Sequence, residues 1–272
     1  MTEYKIGYPN WRHFNIHEWW QYRELFWFLA WRDIKVKYKQ TILGISWAIL
    51  QPLVLMAIFN IFWKKAIKID TGVPYPIFVY SGLIIWGLFF SGVSNSSNSM
   101  INNANVIKKV YFPRIIIPTS AILVSLVDFF ITVLFYIILL FYYKIKLNIL
   151  TFLFFLTASL LITLLVTIGF GLLLAAINIR YRDVRYAIPF LLQLLFFATP
   201  IIFPVSVIES KLLNFILALN PMATAIHFAR VSISIQPIDW SFAALGLISS
   251  LCVFIGGLIL FNKNEIDCAD IL

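Results

Sequence analysis

Six stretches of this chain are each long enough to cross a lipid bilayer as a helix, and together they contain one charge. They cover residues 42–63, 77–100, 115–143, 147–179, 186–208 and 240–262, and the charge is Asp128. A helix rises 1.5 Å per residue, so about 20 apolar residues match a hydrocarbon core about 30 Å thick. Water cannot be the solvent for such a chain. Of its 272 residues 61% are hydrophobic and 12% charged, against roughly 25% charged in a soluble domain. Backbone groups in lipid must be satisfied within the segment, and nothing alternates in the ten-residue pattern of a barrel, so the spans read as helices. The expected fold class is an all-α integral membrane protein with six transmembrane helices.

The spans are imperfect. Pro52, Pro118, Pro189 and Pro200 are each expected to cost a helix hydrogen bond, and the polar run 94–99 should face water or protein rather than lipid. Orientation follows from the cations. Residues 1–41 carry Lys5, Arg12, Arg23, Arg32, Lys35, Lys37 and Lys39; the same side receives Lys108, Lys109, Arg114, Arg180, Arg182, Arg185 and Lys263. Fewer face the other way: Lys64, Lys65, Lys68, Lys144, Lys146, Lys211 and Arg230. The positive-inside rule therefore puts both termini in the cytoplasm. Residues 212–229 form another uncharged run, but Asn220-Pro221 divides it into halves too short to cross. Two short helices on the outer face are expected there, before the last span. The chain thus divides into a cytoplasmic N-terminus (1–41), a six-span domain (42–262) and a cytoplasmic tail (263–272). No apolar core of a signal peptide is visible in residues 1–18.

Within the N-terminus, residues 17–38 mix Trp19, Trp20, Trp27 and Trp31 with Arg23, Glu24, Arg32 and Asp33. That is the composition of a helix lying in the membrane interface. Arg32, Lys35 and Lys39 fall on one helical face and are candidates for a lipid headgroup or phosphorylated substrate, or for simple anchoring.

Catalytic chemistry is scarce. His13 and His17 precede the membrane spans, His227 has no carboxylate within ten residues, no cluster has metal-ligand spacing, and neither G-x-S-x-G nor H-E-x-x-H occurs. No phosphate-binding G-x-x-x-x-G-K-[ST] is present, so the chain is expected to hydrolyse no ATP and to hold no metal or cofactor of its own. Cys252 and Cys268 suggest no disulfide framework. Asp128 is a functional candidate because an intramembrane carboxylate is costly, or else a neutral hydrogen-bonding partner between helices.

The loops narrow the reading. Residues 31–53 (WRDIKVKYKQTILGISWAILQPL), 105–118 (NVIKKVYFPRIIIP), 174–184 (LAAINIRYRDV) and 219–222 (LNPM) together resemble the permeases of ABC transporters that export polysaccharides: O-antigen, capsule and teichoic acid exporters. The resemblance implies an inner- or plasma-membrane permease that pairs with a second copy of itself. It also implies two copies of a separate cytoplasmic ATPase, which holds ATP and Mg, a lipid-linked glycan as substrate, and no nucleic acid. The ATPase-coupling candidates are Asn103, Val106, Ile107, Lys108, Lys109, Tyr111, Phe112 and Arg114. Val106, Ile107, Val110, Tyr111 and Phe112 should give that segment an apolar face, with Ile107 and Tyr111 on one side of a short helix. Arg180, Arg182 and Asp183 are further headgroup or ATPase candidates, and Asn220 and Pro221 mark a possible outer gate or static lid. Two alternatives stand beside this reading: an ABC permease for a drug or small lipid, and a membrane transferase using a polyprenyl phosphate with Arg180, Arg182 and Asp128.

Overall fold

The computed structural model describes residues 20–39, 44–66, 72–181, 183–208, 210–233 and 239–265. Among them are ten α-helices: α1 (Arg23–Lys39), α2 (Ser46–Ala66), α3 (Tyr75–Asn102), α4 (Ala104–Ile107), α5 (Ile116–Tyr142), α6 (Ile149–Arg180), α7 (Val184–Ala198), α8 (Lys211–Leu219), α9 (Pro221–Val231) and α10 (Trp240–Glu265). The all-helical class is as expected. Four helices, α3, α5, α6 and α10, are long and apolar enough to cross a bilayer. The pair α8 and α9 passes that test only jointly and is bent by 94°. In α2 the apolar part ends at Phe62, and α7 is shorter still.

The expectation of one continuous helix over 186–208 is corrected here. At 15 residues, α7 is about 22 Å long, less than a hydrocarbon core. It stops because Pro200 has no N–H to continue the ladder. Thr199 turns its hydroxyl back to the Leu195 carbonyl at 2.7 Å, and the chain leaves through a short 3-10 turn at Val205–Val207. The other prolines behave differently. Pro52 and Pro189 sit inside helices, whereas Pro118 lies in the first turn of α5, where the missing donor had no helical partner to lose.

The centre of the bundle is α3, with Ile77, Val79, Tyr80, Ile85, Val93 and Met100 fully buried. Its polar run is covered by protein. Asn95 donates to Ser125 Oγ of α5 at 3.1 Å, and Asn178 of α6 donates to the Ser97 carbonyl at 2.8 Å. Small side chains let three helices close on one another, and hydrogen bonds between them replace the water they exclude. In α1 the acid, Glu24, stands in the first turn and Lys37 and Lys39 in the last; both signs oppose the helix dipole.

The two ends of the bundle differ. At one, Leu29 of α1 packs with Met100, Phe112, Ile115, Leu172, Ile179 and Phe261. At the other, Leu217, Ala218, Ala223 and Phe242 gather with Val205 and Ile208. Arg32, Lys108, Lys109 and Arg180 lie towards the first end, so the charge asymmetry of the loops is also an asymmetry of the folded bundle.

Candidate functional site

Between α3 and α5 the chain makes the exposed basic-end segment that the sequence marked for coupling. Asn103 is its hinge. Its side-chain amide donates to the Ser99 carbonyl at 2.9 Å, ending α3, while its own carbonyl accepts from the Val106 N–H at 2.9 Å and opens α4. The helix lasts only four residues, so the expected helical face joining Ile107 to Tyr111 does not form. Val106 and Ile107 pack on the core with Leu29 and Met100, and Phe112 is buried there too, at 4% exposure. The exposed apolar residues are Val110, at 56%, and Tyr111, at 84%. Lys108 and Lys109 are exposed beside them, and the residues from Ile107 to Phe112 together with Arg114 line a surface depression of about 200 Å³. Small-molecule sites run from roughly 300 Å³ upwards; this one has room for a partner's side chain.

The helix α1 is fastened to this end and also deeper in the bundle. Arg32 Nη2 donates to Asn103 Oδ1 at 2.8 Å and its Nε to Asp33 at 2.8 Å. Lys37 forms an ion pair with Asp128, whose second oxygen accepts from the Tyr38 hydroxyl. The expectation that Asp128 is a lone carboxylate is therefore corrected: its partners come from the N-terminal helix, which sequence distance concealed. Of the other cations on α1, Lys35 lies 5.3 Å from the Trp31 ring centroid and is exposed, as is Lys39.

At the end of α6, Arg180 is exposed and lies 5.8 Å from the centre of the Tyr181 ring; Asp183 is exposed beyond it. Arg182 lies outside the described residues, as do the N-terminal positions before Trp20 and the tail beyond Glu265.

At the opposite end, Asn220 caps α9 by accepting from the Met222 N–H at 3.0 Å, with Pro221 as first helical residue. Its amide donates to Thr199 Oγ1 at 3.0 Å, which ties the bend to the end of α7. Beside it is a residue that the sequence marks only as a cation on the outer side. Arg230 is buried, with Nη1 donating to the Pro200 carbonyl at 2.7 Å and Nη2 to the Ile201 carbonyl at 2.6 Å, and it lies 3.6 Å from the Phe78 ring centroid. One guanidinium thus satisfies carbonyls freed where α7 stops. Its sequence signal was a single cation closing an uncharged run of membrane-like residues. Arg230→Met keeps the apolar stem but leaves two buried carbonyls without a donor. The expected cost is about 3 kcal/mol, read as a lower thermal unfolding midpoint in detergent and faster proteolysis at 199–208.

A basic end with a short protruding segment, and an opposite end closed by two half-helices, frame the comparison with known proteins. A family model described as ABC-2 type transporter matches residues 24–233. The chain belongs to the ABC-2 type transporter family. The match begins at α1 and ends just after α9. An O-antigen export system permease protein RfbA from Klebsiella pneumoniae is 29% identical over 242 residues, covering 89% of this chain and 92% of its own length. The protein of that name from Myxococcus xanthus is 30% identical over 211 residues, 77% of this chain and 80% of its own. The polysialic acid transport protein KpsM of Escherichia coli is 29% identical over 248 residues, 86% and 91% of the two lengths. ABC-2 membership makes this chain a membrane permease in a family of transporters rather than of enzymes.

Proposed function

We propose that this chain is the membrane subunit of an ATP-driven exporter that moves a lipid-linked polysaccharide outwards across the bacterial inner membrane. The observation that carries the reading is that relatives named for O-antigen export and polysialic acid transport match it over about nine tenths of both lengths. ATP hydrolysis belongs to a separate subunit, and Val110 and Tyr111 are where that subunit docks. Two copies of the chain enclose the conduit, because the interior of one copy is filled: Tyr80, Tyr136, Phe89 and Leu88 are fully buried within it. The transferase reading loses support, since Asp128 is engaged by Lys37 and Tyr38 and Arg180 sits at the end of α6.

Deleting the gene should leave cells without surface polymer and with lipid-linked polymer held on the cytoplasmic face, and the restored chain should reverse both. Normal surface polymer in the deletion strain would sink the proposal.

Six crossings and cytoplasmic termini belong to the same proposal, with α2 and α7 crossing as short helices and α8 and α9 dipping into the outer leaflet. In support, Asn214 of α8 donates to the Ile208 carbonyl and Arg230 of α9 to those of Pro200 and Ile201, so both half-helices return to the end where α7 stops. A single cysteine replacing Lys109 should react with a membrane-impermeant maleimide only from the cytoplasm, and one replacing Ser210 only from outside. Labelling of both from one side contradicts this topology.

A further inference from the structure

We propose that the uncovered strip of α3 between Gly87 and Asn102 is the wall that meets the glycan, receiving sugar hydroxyls on acceptor oxygens from the basic end as far as mid-span. The inference rests on the exporter reading and deepens it by naming which part of each copy faces the polymer.

The helix changes character at Gly87. From Pro76 to Trp86 every residue is buried, so the outer part of α3 is enclosed on all sides. Beyond that point neighbouring helices cover it only in part. Ser96, Ser97 and Ser99 are buried, while Gly87, Ser91, Ser94, Asn95, Asn98 and Asn102 are exposed or half-buried and share one face at helical spacing. Phe90 and Ile101, along one margin, are the only apolar side chains in this strip. It runs about 22 Å by helical rise. It stops where Phe196 of α7 meets both Phe59 of α2 and Trp86, with ring centroids 6.2 and 5.7 Å apart. Its other end adjoins the hinge at Asn103.

In a bilayer an uncovered face meets lipid, another protein surface or water. Lipid tails would leave these Ser and Asn side chains without outside partners. A second copy packed directly on the strip would need a smooth face of small residues, and Asn95, Asn98 and Asn102 interrupt it. The hydrogen bonds say what is offered instead. Ser91 Oγ donates to the Gly87 carbonyl at 2.7 Å, Asn95 Nδ2 to Ser125 Oγ at 3.1 Å and Asn98 Nδ2 to the Ser94 carbonyl at 2.9 Å. With these donors engaged inside the chain, what remains for a ligand is oxygen: Ser91 Oγ, Asn95 Oδ1 and Asn98 Oδ1. Behind the strip, fully buried Asn178 reaches Asn98 Oδ1 only at 3.4 Å, and neither its own Oδ1 nor Ser94 Oγ has a partner. Hydrogen-bonding capacity is thus unmet even in the covered layer. Residues 87–102 carry no charge. Acceptors without cations suit a neutral chain of hydroxyls, whereas a phosphate belongs with Lys108 and Lys109 at the mouth. Several weak contacts in a row also suit passage, which needs each site to admit its cargo and still release it.

The test uses the full chain with the proposed ATPase subunit, in inside-out membrane vesicles. In a background with Cys252 and Cys268 replaced by serine, single cysteines replace Ser91, Asn98 and, on the exposed apolar face of α5, Leu134. Ser91→Cys and Asn98→Cys should react with a charged, water-soluble methanethiosulfonate, and Leu134→Cys should not. Vesicles from cells that make the lipid-linked polymer should label at Ser91→Cys about tenfold more slowly than vesicles from cells lacking the polymerising glycosyltransferase, as expected for a site about nine-tenths occupied. Ser91→Trp fills the strip and should abolish export while the chain still co-purifies with the ATPase; Leu134→Trp should export normally. Unreactive cysteines at both strip positions overturn the proposal, because lipid then fills the strip. So does a disulfide joining two copies at Ser91→Cys, which places a second copy closer than a sugar chain can pass. Equal labelling with and without polymer, or normal export by Ser91→Trp, overturns it too. A parent chain that exports no polysaccharide counts instead against the exporter reading, while the reactivity of Ser91→Cys still decides whether the strip is open to water.

Discussion

Replacing Val110 and Tyr111 together by aspartate should abolish co-purification of the permease with the proposed ATPase subunit and stop export, while membrane insertion and the thermal stability of the permease should stay unchanged. The expectation comes from where the segment puts its apolar atoms. Both residues are exposed in the isolated chain, so the substitution costs the unbound permease little. An ATPase groove that receives them must take in two carboxylates without partners, at several kcal/mol each, and a loss of at least about a hundredfold in affinity follows. Two further variants separate docking from folding. Ile107→Asp strikes a side chain packed against the core with Leu29 and Met100, so it should lower the yield of folded permease as well as its association. Lys108→Gln with Lys109→Gln removes only rim charge, worth about 1 kcal/mol or less at an exposed contact, and should leave association nearly intact. An aspartate pair that still co-purifies with the ATPase and stimulates its hydrolysis removes Val110 and Tyr111 from the interface.

The distinction between Ile107 and Tyr111 marks where sequence reasoning reached its limit. The segment itself is legible, because Lys108, Lys109 and Arg114 interrupt the chain between two apolar runs, and so is the split at Asn220-Pro221. Which of the segment's side chains turn inwards is not. Spacing by four implies a shared face only while the helix lasts, and α4 ends at Ile107, which sends Phe112 to the core and leaves Tyr111 outside. The end of α7 was hidden in a similar way. Pro200 was visible, but Pro52 and Pro189 are equally visible and stand inside helices. What distinguishes Pro200 is that Arg230, thirty positions later, accepts the role of donor to its carbonyl. The partners of Asp128 are 91 and 90 positions away, beyond any local pattern. Apolar length locates spans because lipid acts on every residue alike; pairings between spans depend on which faces meet, and that is settled only by packing.

The sharpest expected contrast lies between two neighbouring glycines on α10. Leucine at Gly257 should prevent stable assembly of this helix, whereas leucine at Gly256 should be tolerated. A Cβ placed on Gly257 falls 2.1 Å from the Gly169 carbonyl oxygen of α6, and one on Gly169 falls 2.6 Å from the Val253 carbonyl, so the two backbones touch and neither has a side chain to yield. Around Gly256 a Cβ meets nothing within 4 Å. Both substitutions add the same apolar surface to the same turn, which makes insertion into lipid equally favourable for the two. Only Gly257→Leu drives α6 and α10 apart, and lipid supplies no hydrophobic force to press them back together. The separation also uncovers Phe261, 1% exposed, which ties α10 to the basic-end cluster. A cost of about 3 kcal/mol or more is expected, seen as degradation of the chain in cells and a lost cooperative unfolding transition in detergent. Equal behaviour of the two leucine variants would mean that α10 is held by something other than this backbone contact.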